Sequence, residues 1–266
     1  MDFFDEQGYL IIETLLTPTA LERCNAEIDR LHEFAAELEA KGDRTTMSFQ
    51  REPYLDGEDA KGPPILRKIE SAGDHSQTFR DLATHPQLIE VLANLLGPDL
   101  LLYRNTLMLK PAHHGSVHAL HQDTAYWPME PANLITVSIA LNDATPENGC
   151  FKVIPGSHRW PQRQWGAIAR KQGESLTDQD DLDTSGQIDV PLNAGSALLF
   201  HSAIIHGSDA NRSPRSRHTA LYAYFTPDVV YKPGDNDPRE RTFRVVAGHG
   251  GLKTQIFVAE TAGKST

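Results

Sequence analysis

From Leu100 onward the chain is a succession of short apolar runs separated by turn residues, and this rhythm limits the folds open to it. Residues 100–111, 134–141, 150–154, 195–201 and 218–225 each have strand length and are rich in apolar side chains. Asn148-Gly149 and Pro155-Gly156 stand between them as tight-turn signals. About eight such strands in succession read as two facing sheets, a mainly β jelly roll or double-stranded β-helix. Helical periodicity is confined to the first hundred residues. Thr17 is an N-cap followed by Pro18 at the first helical position, and Leu21, Cys24, Ile28, Leu31, Ala35 and Leu38 then recur at spacings of three and four until Gly42. A second helix is expected over 86–96, with Leu88, Val91, Leu92 and Leu95 inward and Gly97-Pro98 as its stop. Both should pack on one outer face of the sheets.

The 266 residues suit one domain with a substantial core. A net charge of −11 argues against a nucleic-acid or anionic-membrane partner. No run reaches the length of a membrane span, the opening MDFFDEQGYL does not read as a signal peptide, and the two cysteines suggest no disulfide framework. A cytoplasmic protein acting on a small molecule is expected; composition says nothing about oligomeric state.

Within the strand-rich part, His121-Gln122-Asp123 can begin a metal site. In an extended strand residues i and i+2 point to one side, so His121 and Asp123 could reach one ion while Gln122 points elsewhere. Two imidazoles and one carboxylate cap a single face of Fe(II) and leave the other open. Either His201 or His206 could complete such a set. Ser208 and Arg217 follow His206, and a guanidinium beside a hydroxyl suits the far end of a dicarboxylate. His113, His114 and His118 precede the motif in a Gly- and Ser-containing stretch expected to be a solvated loop. The alternation of strand 100–111 puts Arg104, Thr106 and Met108 on one face. Arg104 there would favour an anionic substrate or form a rim salt bridge. Trp127 could wall a pocket or simply pack in the core; Tyr126 is open between the two.

The run H-Q-D, then E-N-G-C and P-G-S-H, then H-G-S-x-x-N-x-S-x-x-x-R resembles the phytanoyl-CoA dioxygenase family, from about Phe4 to about Phe225. The resemblance implies a jelly roll and an Fe(II)- and 2-oxoglutarate-dependent dioxygenase, using O2 and releasing succinate and CO2 as it hydroxylates a small molecule. It implies His121, Asp123 and His206 as metal ligands and catalytic residues, with Arg217 and Ser208 on the far carboxylate of 2-oxoglutarate. Gln122, Lys68 and Thr106 would lie near the co-substrate, and Trp127, Arg104 and Met108 near the substrate. It also implies that His158 is a turn residue. Related halogenases have Gly or Ala where Asp123 stands, so hydroxylation is expected over halogenation.

Two rival readings use the same residues: a Zn²⁺-dependent hydrolase, which would leave Arg217 unused, and a non-catalytic jelly-roll binding protein, which would predict broken ligands. Three segments lie outside the motif series. Residues 43–65 read as a long loop or flap. Residues 160–189, with Asp178, Asp180, Asp181 and Asp183, read as a solvated insertion over the barrel mouth that is expected to help choose the substrate. Residues 226–266 read as a C-terminal extension without an assigned role, with a weak strand at 242–246.

Overall fold

In the computed structural model, residues 2–235 and 237–259 are described. The chain opens with helix α1 (Asp2–Gln7), strand β1 (Tyr9–Ile12) and the long helix α2 (Pro18–Lys41). Strands β2 (Phe49–Arg51) and β3 (Leu66–Glu70) follow, then helices α3 (Ala72–His75), α4 (Gln77–Leu82) and α5 (Pro86–Leu96). Next come β4 (Leu100–Lys110), β5 (Val117–His121), β6 (Met129–Glu130), β7 (Ile135–Ala140) and β8 (Phe151–Val153). They are followed by β9 (Ala169–Arg170), β10 (Ile188–Val190), β11 (Ala197–His201) and β12 (His206–Ser208). The described part closes with β13 (Arg217–Phe225), β14 (Val230–Tyr231), β15 (Glu240–Ala247) and β16 (Thr254–Val258).

Two sheets carry the fold. The larger runs β1-β11-β7-β13-β4-β15-β16, with β3 also pairing with β4 and β2 with β3; the smaller runs β10-β8-β12-β5-β9. Every registered pair is antiparallel, and neighbours such as β13 and β4 are distant in sequence, as a jelly roll requires. The expected α2 forms as its signals predict. The Thr17 hydroxyl accepts from the Ala20 N–H, and Gly42 ends the helix in the left-handed region at φ 64°.

The helices cover the outer face of the larger sheet. Ile28, Leu31, Leu88 and Leu92 join Leu107, Val137, Tyr222 and Tyr224 in one buried cluster. Alternation along β13 sends Tyr222 and Tyr224 to this side. Their hydroxyls donate to the carbonyls of Phe79 and Ala83 at 2.8 and 2.9 Å, satisfying acceptors at the end of α4. The opposite face of the same strand carries Arg217 and Leu221 into a cavity between the sheets.

Four expectations are corrected. There are five α-helices among the described residues rather than two, because α3 and α4 are too short to show periodicity. Segment 43–65 is not all loop, since β2 pairs with β3. Residues 160–189 do not merely hang in solvent: β9 pairs with β5, β10 with β8, and Leu182 is buried beside Leu120, Ile154 and Ile205. Nor is the region after Phe225 an appendage. The strand expected over 242–246 is part of β15, which extends the larger sheet beyond β4, and Phe243 and Phe257 pack with Trp127 and Phe225. Residues 260–266 of that segment lie outside the described residues.

Candidate metal and co-substrate site

The pairing of β12 with β5 sets His206 directly opposite His121. Donor atoms of His121, Asp123 and His206 all lie within 4.8 Å of one another, and all three residues are buried. The route to this cluster differs from the expected one in one respect. Strand β5 ends at His121, and Asp123 opens a 3-10 turn running to Tyr126. Asp123 still turns back toward His121, with Oδ1 3.5 Å from Nε2.

The imidazoles are oriented alike. Nδ1 of His121 meets the Ala119 carbonyl at 2.9 Å, and Nδ1 of His206 meets the Ile204 carbonyl at 3.0 Å. A carbonyl only accepts, so each Nδ1 carries the proton and each Nε2 offers its lone pair to the cluster. Burial pulls the His206 pKa down to about 4, and the His121 charge beside it acts the same way, so the ring is neutral at neutral pH. Burial alone would push the Asp123 carboxyl up. With the imidazoles protonated, the hydrogen bond from His121 and the charges of both rings outweigh it and hold the group well below the usual carboxylate range. Thr136, from β7, donates to Asp123 Oδ2 at 3.0 Å and leaves Oδ1 toward the histidines. Sequence reasoning missed Thr136. Its trace was there, since Thr136 and Ser138 are the two hydroxyls in an otherwise apolar run, spaced to share a face.

The motif after His206 is a folding device for the next residue that matters. The Asn211 amide donates to the Lys110 and Arg215 carbonyls at 2.9 and 2.8 Å, and the Ser213 hydroxyl donates to Asn211 Oδ1 at 2.9 Å. This knits the turn between β12 and β13 and delivers Arg217 to the cavity floor. Arg217 is 3% exposed, its Nε and Nη1 meet no acceptor, and its guanidinium lies over the Phe151 ring at 5.5 Å. Burial draws its pKa down to about 10. A buried guanidinium with unbonded donors is expensive unless an anion meets it, so the residues present fit a dicarboxylate bound beside a metal.

Arg217, Ser208, Lys68, Thr106, Met108 and Trp127 all line one cavity of about 320 Å³ with the three-residue cluster. Arg104 lines it too, and its Nη2 is 3.2 Å from Glu70, so the expected rim salt bridge is present at a residue that also borders the cavity. Lys68 pairs with the same carboxylate and Thr106 donates to it at 2.9 Å; Arg104 and Lys68 outweigh burial and hold Glu70 at about 2. Trp127 is 7% exposed and stacks near Tyr103, so it is both packed and cavity-facing, while Tyr126 is half-exposed at the mouth.

Other placements correct the sequence reading. Gln122 does not face the cavity. Its amide is used up structurally, donating to the Ala203 carbonyl at 3.0 Å and accepting from the Arg163 N–H at 3.0 Å. His118 is not solvated; it lines the cavity with its ring 5.1 Å from that of His121. His201 points away, with its ring beside His158, and His158 bonds the Asp5 carbonyl at 3.0 Å as a turn residue.

A double-stranded β-helix with a 2-His-1-carboxylate cluster and a buried arginine in one cavity defines the class of non-haem iron, 2-oxoglutarate-dependent oxygenases. The model of one family, phytanoyl-CoA dioxygenase, matches residues 4–219, and the chain belongs to that family. It is 26% identical to peroxisomal phytanoyl-CoA dioxygenase of Rattus norvegicus over 86% of this chain and 68% of the rat protein. The apo structure of the non-heme monooxygenase ThoJ superposes with a TM-score of 0.71 at 24% identity, covering 98% of this chain and 86% of that one. The epimerase SnoN, solved with Fe3+, alpha ketoglutarate and nogalamycin RO, superposes with a TM-score of 0.67 at 22% identity, covering 98% and 94%.

Proposed function

We propose that this enzyme hydroxylates a small molecule, using Fe(II), 2-oxoglutarate and O2. The observation that carries the reading is the unbonded, buried Arg217 guanidinium in the same cavity as His121, Asp123 and His206. A hydrolytic metal site gives that arginine nothing to do.

His121, Asp123 and His206 would hold the iron on one face. Arg217 and Ser208 would hold the far carboxylate of 2-oxoglutarate, since a guanidinium fork matches a carboxylate bidentately. When bound, iron and 2-oxoglutarate supply the oxidising power with dioxygen, and succinate and CO2 leave. The chain supplies position and dryness. The carbonyls of Ala119 and Ile204 keep both Nε2 atoms unprotonated, and Thr136 keeps Asp123 from rotating. Phe151 and Trp127 exclude water from the two sides. Lys68 and Thr106 would meet the co-substrate region as a unit already tied to Glu70. Met108, Trp127 and Arg104 would border the substrate. Asp123 supports hydroxylation over halogenation, because a carboxylate occupies the place a halide would need. The two buried free thiols support a reducing compartment such as the cytoplasm.

The test is anaerobic titration of Fe(II)-loaded protein with 2-oxoglutarate, followed by turnover under labelled dioxygen. A visible metal-to-ligand charge-transfer band, and label in the product hydroxyl, are expected. Stoichiometric metal binding without the band overturns the oxygenase reading. A band with no labelled oxygen in the product replaces hydroxylation by an outcome such as the epimerisation named for SnoN.

A further inference from the structure

Leu66 and Ile69 both belong to the helix-side core, at 1% and 0% exposure. Three residues apart in a regular strand, they would face opposite ways. The explanation lies in the register. Gln50 pairs with Lys68 but the next residue, Arg51, pairs with Leu66, so Arg67 has no partner on β2. This is a β-bulge, a device that re-aims a side chain. Its result is that Arg67 and Lys68, adjacent in sequence, both line the cavity of the metal cluster.

The charges there do not balance. Arg67, Lys68, Arg104, Lys110 and Arg217 all line the cavity, and among the described residues Asp123 is the one carboxylate that does. Glu70 at its edge pairs with Lys68 and Arg104. Lys110 donates to the Ser116 and Asp209 carbonyls at 2.7 and 2.5 Å. Arg217 is committed to the co-substrate, and Fe(II) and doubly charged 2-oxoglutarate cancel. Arg67 remains. It senses Glu52 electrostatically, but among the described residues no carboxylate is within ion-pair distance of it. Even with Glu52 ionised and Lys110 neutral, the loaded cavity keeps one positive charge in excess.

On these grounds, and resting on the oxygenase reading, we infer that the substrate is a small carboxylic acid and that Arg67 pairs with its carboxylate. An excess of at least one positive charge suits an anionic substrate, and the planar fork of arginine suits a carboxylate. The cavity, about 320 Å³, is at the small end of ligand sites and also holds the co-substrate, so a compact acid fits it.

The test uses protein loaded anaerobically with Fe(II) and saturating 2-oxoglutarate. It is titrated with alkyl and aryl monocarboxylates of roughly four to ten carbons, a size matched to the cavity, and with their methyl esters. Tryptophan fluorescence follows binding, because Trp127 lines the cavity. The expected result is saturable binding of at least one acid, with its ester about tenfold weaker or worse, a difference of ~1.4 kcal/mol. Arg67→Gln should erase that preference and leave unchanged the 2-oxoglutarate needed for the charge-transfer band; Arg67→Lys should keep part of it. The inference is overturned if no acid in the series outbinds its ester, or if the preference survives in Arg67→Gln. It is also overturned if Arg67→Gln raises the 2-oxoglutarate requirement, which would make Arg67 a co-substrate residue. Should Arg67→Gln not fold, Arg67→Lys decides: an unchanged acid-to-ester ratio or an altered 2-oxoglutarate requirement overturns the inference. A missing band in the unsubstituted protein would instead remove the oxygenase reading itself.

Discussion

Replacing Arg217 with methionine should make the ligand-free protein more stable and the enzyme nearly blind to 2-oxoglutarate. The arginine is 3% exposed with two unbonded nitrogens, so without an anion the fold carries an uncompensated buried charge. Exchanging buried ionic groups for apolar side chains of similar volume returns ~1–4 kcal/mol. The lost contact with the Phe151 ring, 5.5 Å from the guanidinium carbon, offsets about 0.5–1 kcal/mol of this. The net is about 0–3.5 kcal/mol, which at ~2–4 °C per kcal/mol raises Tm by up to roughly 14 °C. The loaded state should respond in the opposite sense. Two hydrogen bonds to a charged group are worth ~3–6 kcal/mol, so the 2-oxoglutarate requirement should rise by about 10²–10⁴-fold. Calorimetric melting with and without Fe(II) and 2-oxoglutarate measures the first effect, and titration of the charge-transfer band the second. A variant that melts below the parent without ligands, or keeps its 2-oxoglutarate requirement, refutes the reasoning.

Thr136→Val should weaken Fe(II) binding by about 10–100-fold with little change in Tm, because it frees Asp123 to rotate without removing a ligand; competition against a fluorescent chelator measures this, and unchanged affinity would count against the role given to Thr136. A second expectation concerns pH. Burial draws His201 and His218 down to about 4, whereas unfolded histidine titrates near 6.5. The unfolded chain therefore takes up these protons first. The stability they contribute is full above about pH 6.5 and is lost as pH falls through about 4. Urea midpoints of the metal-free protein should fall across that window, less steeply in His218→Gln, and a pH-independent midpoint would contradict it.

Much of the site was readable because it depends on residue type and local spacing. His121 and Asp123 stand in one tripeptide, and His206 and Arg217 flank a turn closed by Asn211 and Ser213 within the same short segment. What could not be read depends on the partner strand. Arg67 looks like any residue of β3 until the register with β2 exposes the bulge. Gln122 sits between two ligands, yet its amide is claimed by Ala203 and Arg163, both remote in sequence. Asp123 reached the cluster from a 3-10 turn, where strand alternation was the wrong geometry with the right outcome. The strands β15 and β16 carry little apolar alternation, and only the pairing of β15 with β4, and of β16 with β15, reveals them as part of the sheet.

That pairing bears on the order in which the protein is made. The aromatic wall behind Trp127 includes Phe243 and Phe257, which follow every metal ligand in the chain. A ribosome releases residues from the N-terminus onward, at about 5–20 per second. A nascent chain that already contains His121, Asp123, His206 and Arg217 therefore still has an open edge along β4 and an uncovered aromatic patch. Iron captured at that stage would sit in a site not yet sealed from water. The late hairpin thus makes a sealed cavity depend on the emergence of β15 and β16, and co-translational metal loading would have to wait for them.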